Sequence, residues 1–576
     1  MVGRYVIIIL LLNVRRFCLA QIVSTPSGYS FQGSYAIYNN TYVRSFLGIP
    51  YAEPPLGERR FRPSVLKEAP PGSNNTIINA LNNPPNCLNQ FGSGSEDCLM
   101  INIWAPESVE EGKEVPVMFY VHGGGFLYGS ISDSRWNGAS FAADNVVLVT
   151  VQFRNHWLGN FNLKPIFGRR KVCDQESNLA LDDQRVALKW VKKNIASFGG
   201  DPDNITIFGH SSGAGFIMAH FASEKSKDLF HKAIVQSGSH IITGTLSYLT
   251  ALRVLLQVLL PIERKYKCGD TSVFNINCVG KVGFRADLNW WQNAASDIMV
   301  EVMQEANKVI PDTIGSIITG PGFSVPDTPS RVLKNTDISS DKPLLIGITF
   351  DEGYQLYPTF SSYPGLNANL PDCGSWSPIV EITSPTIKAT DIIIEDPTNT
   401  DIPGRRGNWT KEQAAFAIVD EILFGLPTQA MLEAHKGPTF SYIFENPVYT
   451  SSPCRGRGTT HGAEHNSIWG TFLSSNDMFE THYAWINFAT TGDPGSLTIE
   501  NKTVDWKEYD SNDDRFTMVI SKQLRGRENS FGPERELITS YLLQECAILT
   551  PIGALFLRPV CAYNPLISFV LDIIKI

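Results

Sequence analysis

Residues 209–213 read Gly209-His210-Ser211-Ser212-Gly213, directly after the apolar run Asn204-Ile205-Thr206-Ile207-Phe208. A strand that ends in G-x-S-x-G and continues as a helix bends so sharply that the central serine hydroxyl stands exposed at the strand end, ready for nucleophilic attack. Gly209 and Gly213 are expected because a Cβ at either would collide with the neighbouring turn. The small and apolar residues of 214–222 suit a helix packed on a sheet. The first N–H groups of that helix would face any developing oxyanion.

A second apolar run, 115–121, ends in His122-Gly123-Gly124-Gly125-Phe126. Three glycines after a buried strand let backbone N–H groups approach a substrate closely, as an oxyanion hole requires. A phosphate loop would need a following Lys-Ser/Thr, which is absent. The expected donors are the N–H groups of Gly124, Gly125 and Ser212. A serine hydroxyl also needs a histidine to take its proton and an acid to hold that histidine. Downstream of Ser211, the run 344–349 leads into Phe350-Asp351-Glu352-Gly353, where either Asp351 or Glu352 stands just past a strand end. For the base, His461 lies in a polar, glycine-containing loop, with His465 four residues on as its rival.

The elements that must position these groups are short, continuously apolar runs: 115–121, 146–151, 205–208, 232–236, 343–349 and 440–444. Such runs read as strands buried on both faces. Leu179, Leu181, Val186, Leu188, Val191 and Ile195 recur at helical spacing between two of them, and Gly199-Gly200 ends that helix. The pattern predicts an α/β fold with a large, mostly parallel central sheet flanked by helices, with insertions. Ligands in such sheets bind beyond the carboxyl ends of the strands, where Ser211 falls.

Several ordered stretches closely resemble the type-B carboxylesterase/cholinesterase family of α/β-hydrolases. They are Phe46-Leu47-Gly48-Ile49-Pro50-Tyr51-Ala52-Glu53-Pro54-Pro55, Glu96-Asp97-Cys98-Leu99, the glycine run at 122–126 and Phe198-Gly199-Gly200-Asp201-Pro202 leading to Ser211. Further on come Asp351-Glu352-Gly353, His461-Gly462-Ala463-Glu464, Asn487-Phe488-Ala489 and Thr491-Gly492-Asp493-Pro494. The resemblance implies an α/β-hydrolase fold and a serine carboxylesterase working through an acyl-enzyme, with Ser211 as nucleophile, Glu352 as acid and His461 as base. It implies structural ion pairs of Arg60 with Glu96 and Arg154 with Asp183. It implies no metal and no organic cofactor, and a small-molecule ester as the partner. Two departures stand out. Cholinesterases carry glutamate where this chain has His210, and a choline-binding tryptophan in the loop closed by the first disulfide. Here that loop, 88–97, has Phe91 as its sole aromatic and is too short for the apolar lid of the related lipases. A lipase and a catalytically silent adhesion protein of the same family are the alternative readings.

The chain has 576 residues, 43% hydrophobic and 18% charged, enough for a large core. A net charge of −9 with no basic run argues against a nucleic-acid partner. Residues 1–20 read as a secretory signal: Arg4 precedes the apolar run 6–12, and Cys18-Leu19-Ala20 supplies the small residue before a cut. A single domain is expected over 21–545, followed by an apolar tail of unclear role over 546–576. Arg558, Pro559 and Asp572 keep that tail short of the roughly 20 apolar residues of a membrane span. The expected protein is secreted, with no obligatory membrane partner. N-x-[ST] acceptors at Asn39, Asn74, Asn204, Asn408 and Asn501 fit export, with Asn204 expected to stay unmodified at a strand start. Ten cysteines fit the same compartment. Cys87 with Cys98 and Cys268 with Cys278 read as two short-loop disulfides, which the resemblance also implies. The pairing of Cys173, Cys373, Cys454, Cys546 and Cys561 stays open.

Overall fold

The run Val115–Val121 sends alternate side chains into two separate cores. Val117, Phe119 and Val121 pack into one cluster; Met118 and Tyr120 pack into another. Successive residues of a strand face opposite sides, so a run that is apolar throughout belongs to a strand covered on both faces. Neighbouring strands repeat the division: Ala233 and Val235 against Ile234, Leu344 and Ile346 against Leu345.

These strands form the middle of a 13-stranded sheet in a computed structural model of the protein. The structure describes residues 21–527 apart from 72–75, 110–112, 161–165, 168–177, 239–241, 244–253, 270–285, 310–317, 320–324, 351, 353–423, 446–458, 460, 471–478 and 522–523. In spatial order the strands are Gln21–Ser24, Tyr29–Tyr38, Thr41–Pro50, Met100–Pro106, Val147–Val151, Val115–Val121, Gly200–His210, Lys232–Gln236, Leu344–Thr349, Thr439–Phe444, Thr517–Ile520 and Arg525–Arg527, with Thr76–Asn79 beside Tyr29–Tyr38. The seven from Val147–Val151 to Thr517–Ile520 pair in parallel. Antiparallel pairs close both ends. The architecture is the expected α/β class with a mostly parallel central sheet.

Helices cover both faces. Helix Leu179–Asn194 lays Leu181, Val186, Leu188 and Val191 on the first core, beside Ala214, Phe216 and Ile217 of helix Ser212–Phe221. Helix Phe479–Thr491 lays Ala484, Trp485 and Phe488 on the second. A third cluster, with Phe61, Trp157, Trp291 and Met299, lies under the insertions. Arg60 ties it down: its guanidinium pairs with Glu96 at 2.6 Å and donates to the carbonyls of Trp291 and Ala294. Arg154 pairs with Asp183 at 2.6 Å, and both side chains are buried. Both ion pairs are the ones implied by the family resemblance.

Cys87 and Cys98 form a disulfide. Cys268 is also disulfide-bonded, while Cys278 and the remaining cysteines lie outside the described residues. So do the expected signal, 1–20, and the tail, 546–576. Among the described residues no helix is long and apolar enough to cross a membrane.

Candidate active site

Ser211 stands between the strand Gly200–His210 and the helix Ser212–Phe221 with φ 60° and ψ −128°, a region side chains rarely occupy. The conformation is held from both sides: the Ser211 N–H donates to the Gln236 carbonyl at 2.9 Å, and the Gly215 N–H donates to the Ser211 carbonyl at 3.0 Å. The turn is closed by backbone contact. A Cβ on Gly209 would come within 2.7 Å of the Gly213 carbonyl carbon, and one on Gly213 within 2.2 Å of the Val121 carbonyl oxygen. Only glycine fits at either position, as the sequence pattern implied.

Val121 pairs with Gly209 across the sheet, so the glycine run starts level with the elbow. A Cβ on Gly123 would lie 3.1 Å from the Ser211 Cβ. Gly124 and Gly125 have φ values of 132° and 61°, and their N–H groups have no hydrogen-bond partner among the described residues. Below them His122, 1% exposed, stacks on Phe153 with ring centroids 4.3 Å apart and bonds through Nδ1 to the Gly123 carbonyl at 2.9 Å. Burial pushes its pKa down to about 4. Ser212 begins the helix and is buried.

Two strands along, Leu344–Thr349 runs into Glu352, which is fully buried. The Thr349 N–H donates to Oε1 at 2.7 Å, fixing the carboxylate. The other oxygen, Oε2, meets His461 Nδ1 at 2.5 Å. Of the two acids left open by spacing, Glu352 is therefore the one that holds a histidine; Asp351 lies outside the described residues. His461 Nε2 is buried with no hydrogen-bond partner among the described residues. No hydrogen bond joins the Ser211 hydroxyl to His461 here. The two segments meet instead through His210, whose ring lies 4.3 Å from that of His461.

His465, the rival base, has no hydrogen bond to Glu352, which bonds to His461. It opens the short helix His465–Trp469 and packs edge-on against His210, with centroids 4.1 Å apart, and against Trp136 at 5.0 Å. Burial, reinforced by the neighbouring His461, lowers its pKa to about 3, and burial likewise holds His210 well below the usual histidine value. Glu464, fully buried, is pushed up to about 8 by burial and then by the Glu352 charge. Its carboxyl lies beside the Gln236 side chain, and neither of its oxygens has a well-formed hydrogen bond among the described residues. This group of His210, Glu464 and His465 was not assembled from the sequence. The signals were present separately: His210 replaces an acid, Glu464 sits in a motif, and His465 stood only as a rival base.

In the short loop 88–97, residues 91–94 are exposed. Phe91 is 69% exposed and pairs edge-on with Tyr128, just beyond the glycine run, at 5.9 Å.

Comparison with known proteins agrees with this geometry. A family model described as the carboxylesterase family matches residues 20–535. Carboxylesterase 1D of Rattus norvegicus is 28% identical over 546 residues, covering 85% of this chain and 89% of that protein. Acetylcholinesterase 1 of Caenorhabditis briggsae is 28% identical over 540 residues, covering 85% and 83% respectively. Among solved structures, a carboxylesterase of Geobacillus stearothermophilus superposes with a TM-score of 0.70 at 26% identity, covering 90% of this chain and 99% of that one. With the match running over nearly its whole length, the chain belongs to the carboxylesterase family, a family of carboxylic ester hydrolases with the α/β-hydrolase fold.

Proposed function

We propose that the protein is a secreted serine carboxylesterase that cleaves small carboxylic esters through an acyl-enzyme. The observation that carries this reading is the convergence of three units on one sheet edge. They are a strained serine between strand and helix, a glycine run with free N–H groups beside it, and a buried histidine held by a carboxylate at 2.5 Å.

In this reading His461 Nδ1–H donates to Glu352, leaving the Nε2 lone pair to accept the Ser211 proton. Ser211 Oγ bonds to the ester carbonyl carbon, and the oxyanion accepts hydrogen bonds from the N–H groups of Gly124, Gly125 and Ser212. As the tetrahedral intermediate collapses, the ester C–O bond breaks and His461 gives its proton to the leaving alcohol. Water then repeats the sequence: His461 takes a proton from it, hydroxide oxygen attacks the acyl carbon, and Ser211 Oγ leaves and is reprotonated. Glu352 stabilises the imidazolium in both halves and does not itself take the proton.

The exposed, ten-residue loop around Phe91 favours small soluble esters over an interfacial lipase action. Exposed turns at Asn39 and Asn501 support glycosylation, and with it export. At Asn204 the amide side chain is engaged with the Thr490 carbonyl at 3.4 Å and with Lys232, in keeping with an unmodified residue. The signal over 1–20, the single domain over 21–545 and the tail over 546–576 remain parts of the same proposal. A fluorophosphonate probe tests the core of it. The wild-type chain should be labelled at Ser211 and lose aryl-ester hydrolysis in step with labelling, and Ser211→Ala should take no label. Labelling elsewhere, or hydrolysis that survives complete labelling, would refute it.

A further inference from the structure

One nitrogen each of His210 and His465 and one carboxylate oxygen of Glu464 lie within 4.8 Å of one another. None of the three has a role in the mechanism above. His210 and Glu464 are buried, and His465 is partly exposed, which leaves an edge of the cluster within reach of solvent. The Nε2 atoms of His210 and His465 and both oxygens of Glu464 are buried without a hydrogen-bond partner among the described residues. Buried polar atoms are ordinarily paired, and three side chains whose unpaired atoms come this close together form a preassembled set of ligands.

The set is also rigid. His210 is fixed at the end of its strand, and His465 is wedged edge-on between His210 and Trp136. A Cβ on Gly462 would lie 2.8 Å from the His465 ring and 3.3 Å from the His210 ring, so glycine is what lets both rings approach. Arg135, whose charge is felt at both rings, is taken up by a two-pronged bond to Asp133 at 3.1 and 2.7 Å. Two imidazoles and a carboxylate are a zinc-type donor set that leaves a fourth position for water. Hard cations such as Mg²⁺ prefer oxygen ligands alone.

We propose that His210, Glu464 and His465 form an inhibitory site for a divalent transition-metal ion of the Zn²⁺ type. The inhibitory part rests on the hydrolytic reading given above. A dication there sits against His210, whose ring is 4.3 Å from that of His461. It raises the energy of every state in which His461 carries positive charge, including the transition states of both half-reactions. It also pins the residue that precedes Ser211. Turnover is suppressed reversibly, through kcat more than through KM.

The test uses the full chain, washed with chelator and titrated with zinc alone. Bound metal is counted by equilibrium dialysis, and hydrolysis of a p-nitrophenyl ester is followed in parallel. The expected result is one zinc per chain, at least a tenfold fall in kcat with KM within twofold, recovery on adding chelator, and no effect of Mg²⁺. His465→Phe keeps the ring volume against Trp136 and should lose both the bound zinc and the zinc-dependent fall, measured against its own metal-free activity. Glu464→Gln, which keeps the shape of the side chain, should weaken binding and inhibition together. Absence of stoichiometric zinc, or variants that bind zinc and are inhibited like the wild type, would overturn the proposal. A metal-free wild-type chain that hydrolyses nothing, yet binds one zinc that His465→Phe loses, would refute the hydrolytic reading and the inhibitory role while upholding the metal site.

Discussion

His122 makes acid a measurable threat to the loop that carries Gly124 and Gly125. Its ring is 1% exposed, stacked on Phe153, and already donates from Nδ1 to the Gly123 carbonyl. A second proton would put an N–H at Nε2, where no acceptor is present among the described residues. That is the physical content of a pKa pushed from the ordinary 6.5 down to about 4. Above pH 6.5 the ring is neutral in both folded and unfolded chains, and its contribution to stability is complete. As pH falls from 6.5 towards 4, the unfolded chain takes up the proton while the folded chain does not, so stability drains away over that window and levels off below it. Acidification from pH 7.5 to pH 4.5 therefore costs the folded state about 2.5 kcal/mol at this side chain. His122→Phe keeps a flat ring against Phe153 and removes the titration. Urea unfolding followed by tryptophan fluorescence at the two pH values should show the wild type losing about 2.5 kcal/mol more than the variant. The remaining histidines, His210, His220 and His465 among them, are common to both proteins and cancel in the comparison. Acid sensitivity in the variant within about 0.5 kcal/mol of wild type would refute the assignment of this cost to His122.

Three further outcomes test the site and its frame. Ser211→Ala should abolish aryl-ester turnover, whereas Ser212→Ala should keep most of it because only the Ser212 backbone is used; steady-state rates of the two variants decide. Glu352→Gln keeps the carboxamide shape but loses the charge facing His461, and kcat should fall by about 10³-fold or more. A loss of less than tenfold would mean that another acid serves. Asp183→Asn leaves Arg154 buried with its charge uncompensated and should destabilise the fold by about 3–5 kcal/mol, read as a fall in thermal midpoint at unchanged pH. A midpoint unmoved by that change would show that the pair adds nothing.

The parallel strands were legible because burial on both faces leaves an uninterrupted apolar run. The expected spans 115–121 and 232–236 match the observed strands to the residue. Gly200–His210 starts earlier than its apolar run because Gly200 pairs with Val115, after which the register shifts to Ile205 opposite Val117 and leaves residues 201–204 out of register. The antiparallel strands at the amino-terminal end were not read at all. In Tyr29–Tyr38 and Thr41–Pro50 buried and partly exposed positions intermingle, and neither stretch is continuously apolar. The elbow and the glycine run announce themselves because backbone crowding demands glycine. Spacing left Asp351 and Glu352 both open and only the family resemblance named Glu352, because the direction of a carboxylate towards His461 is a fact about side chains that spacing does not carry. The cluster of His210, Glu464 and His465 stayed hidden for a related reason: its members come from a strand end and a distant loop, and only the sheet brings them together.

Glu352 stands just past the strand Leu344–Thr349, which lies beside Thr439–Phe444 in unbroken parallel register from Leu344 opposite Thr439 to Thr349 opposite Phe444. The acid is thus held by six residue pairs and the Thr349 backbone bond, while Phe424, in the chain that connects the two strands, packs its ring 4.8 Å from that of His461. A change at Phe424 would consequently reach the base while leaving the acid where the sheet holds it.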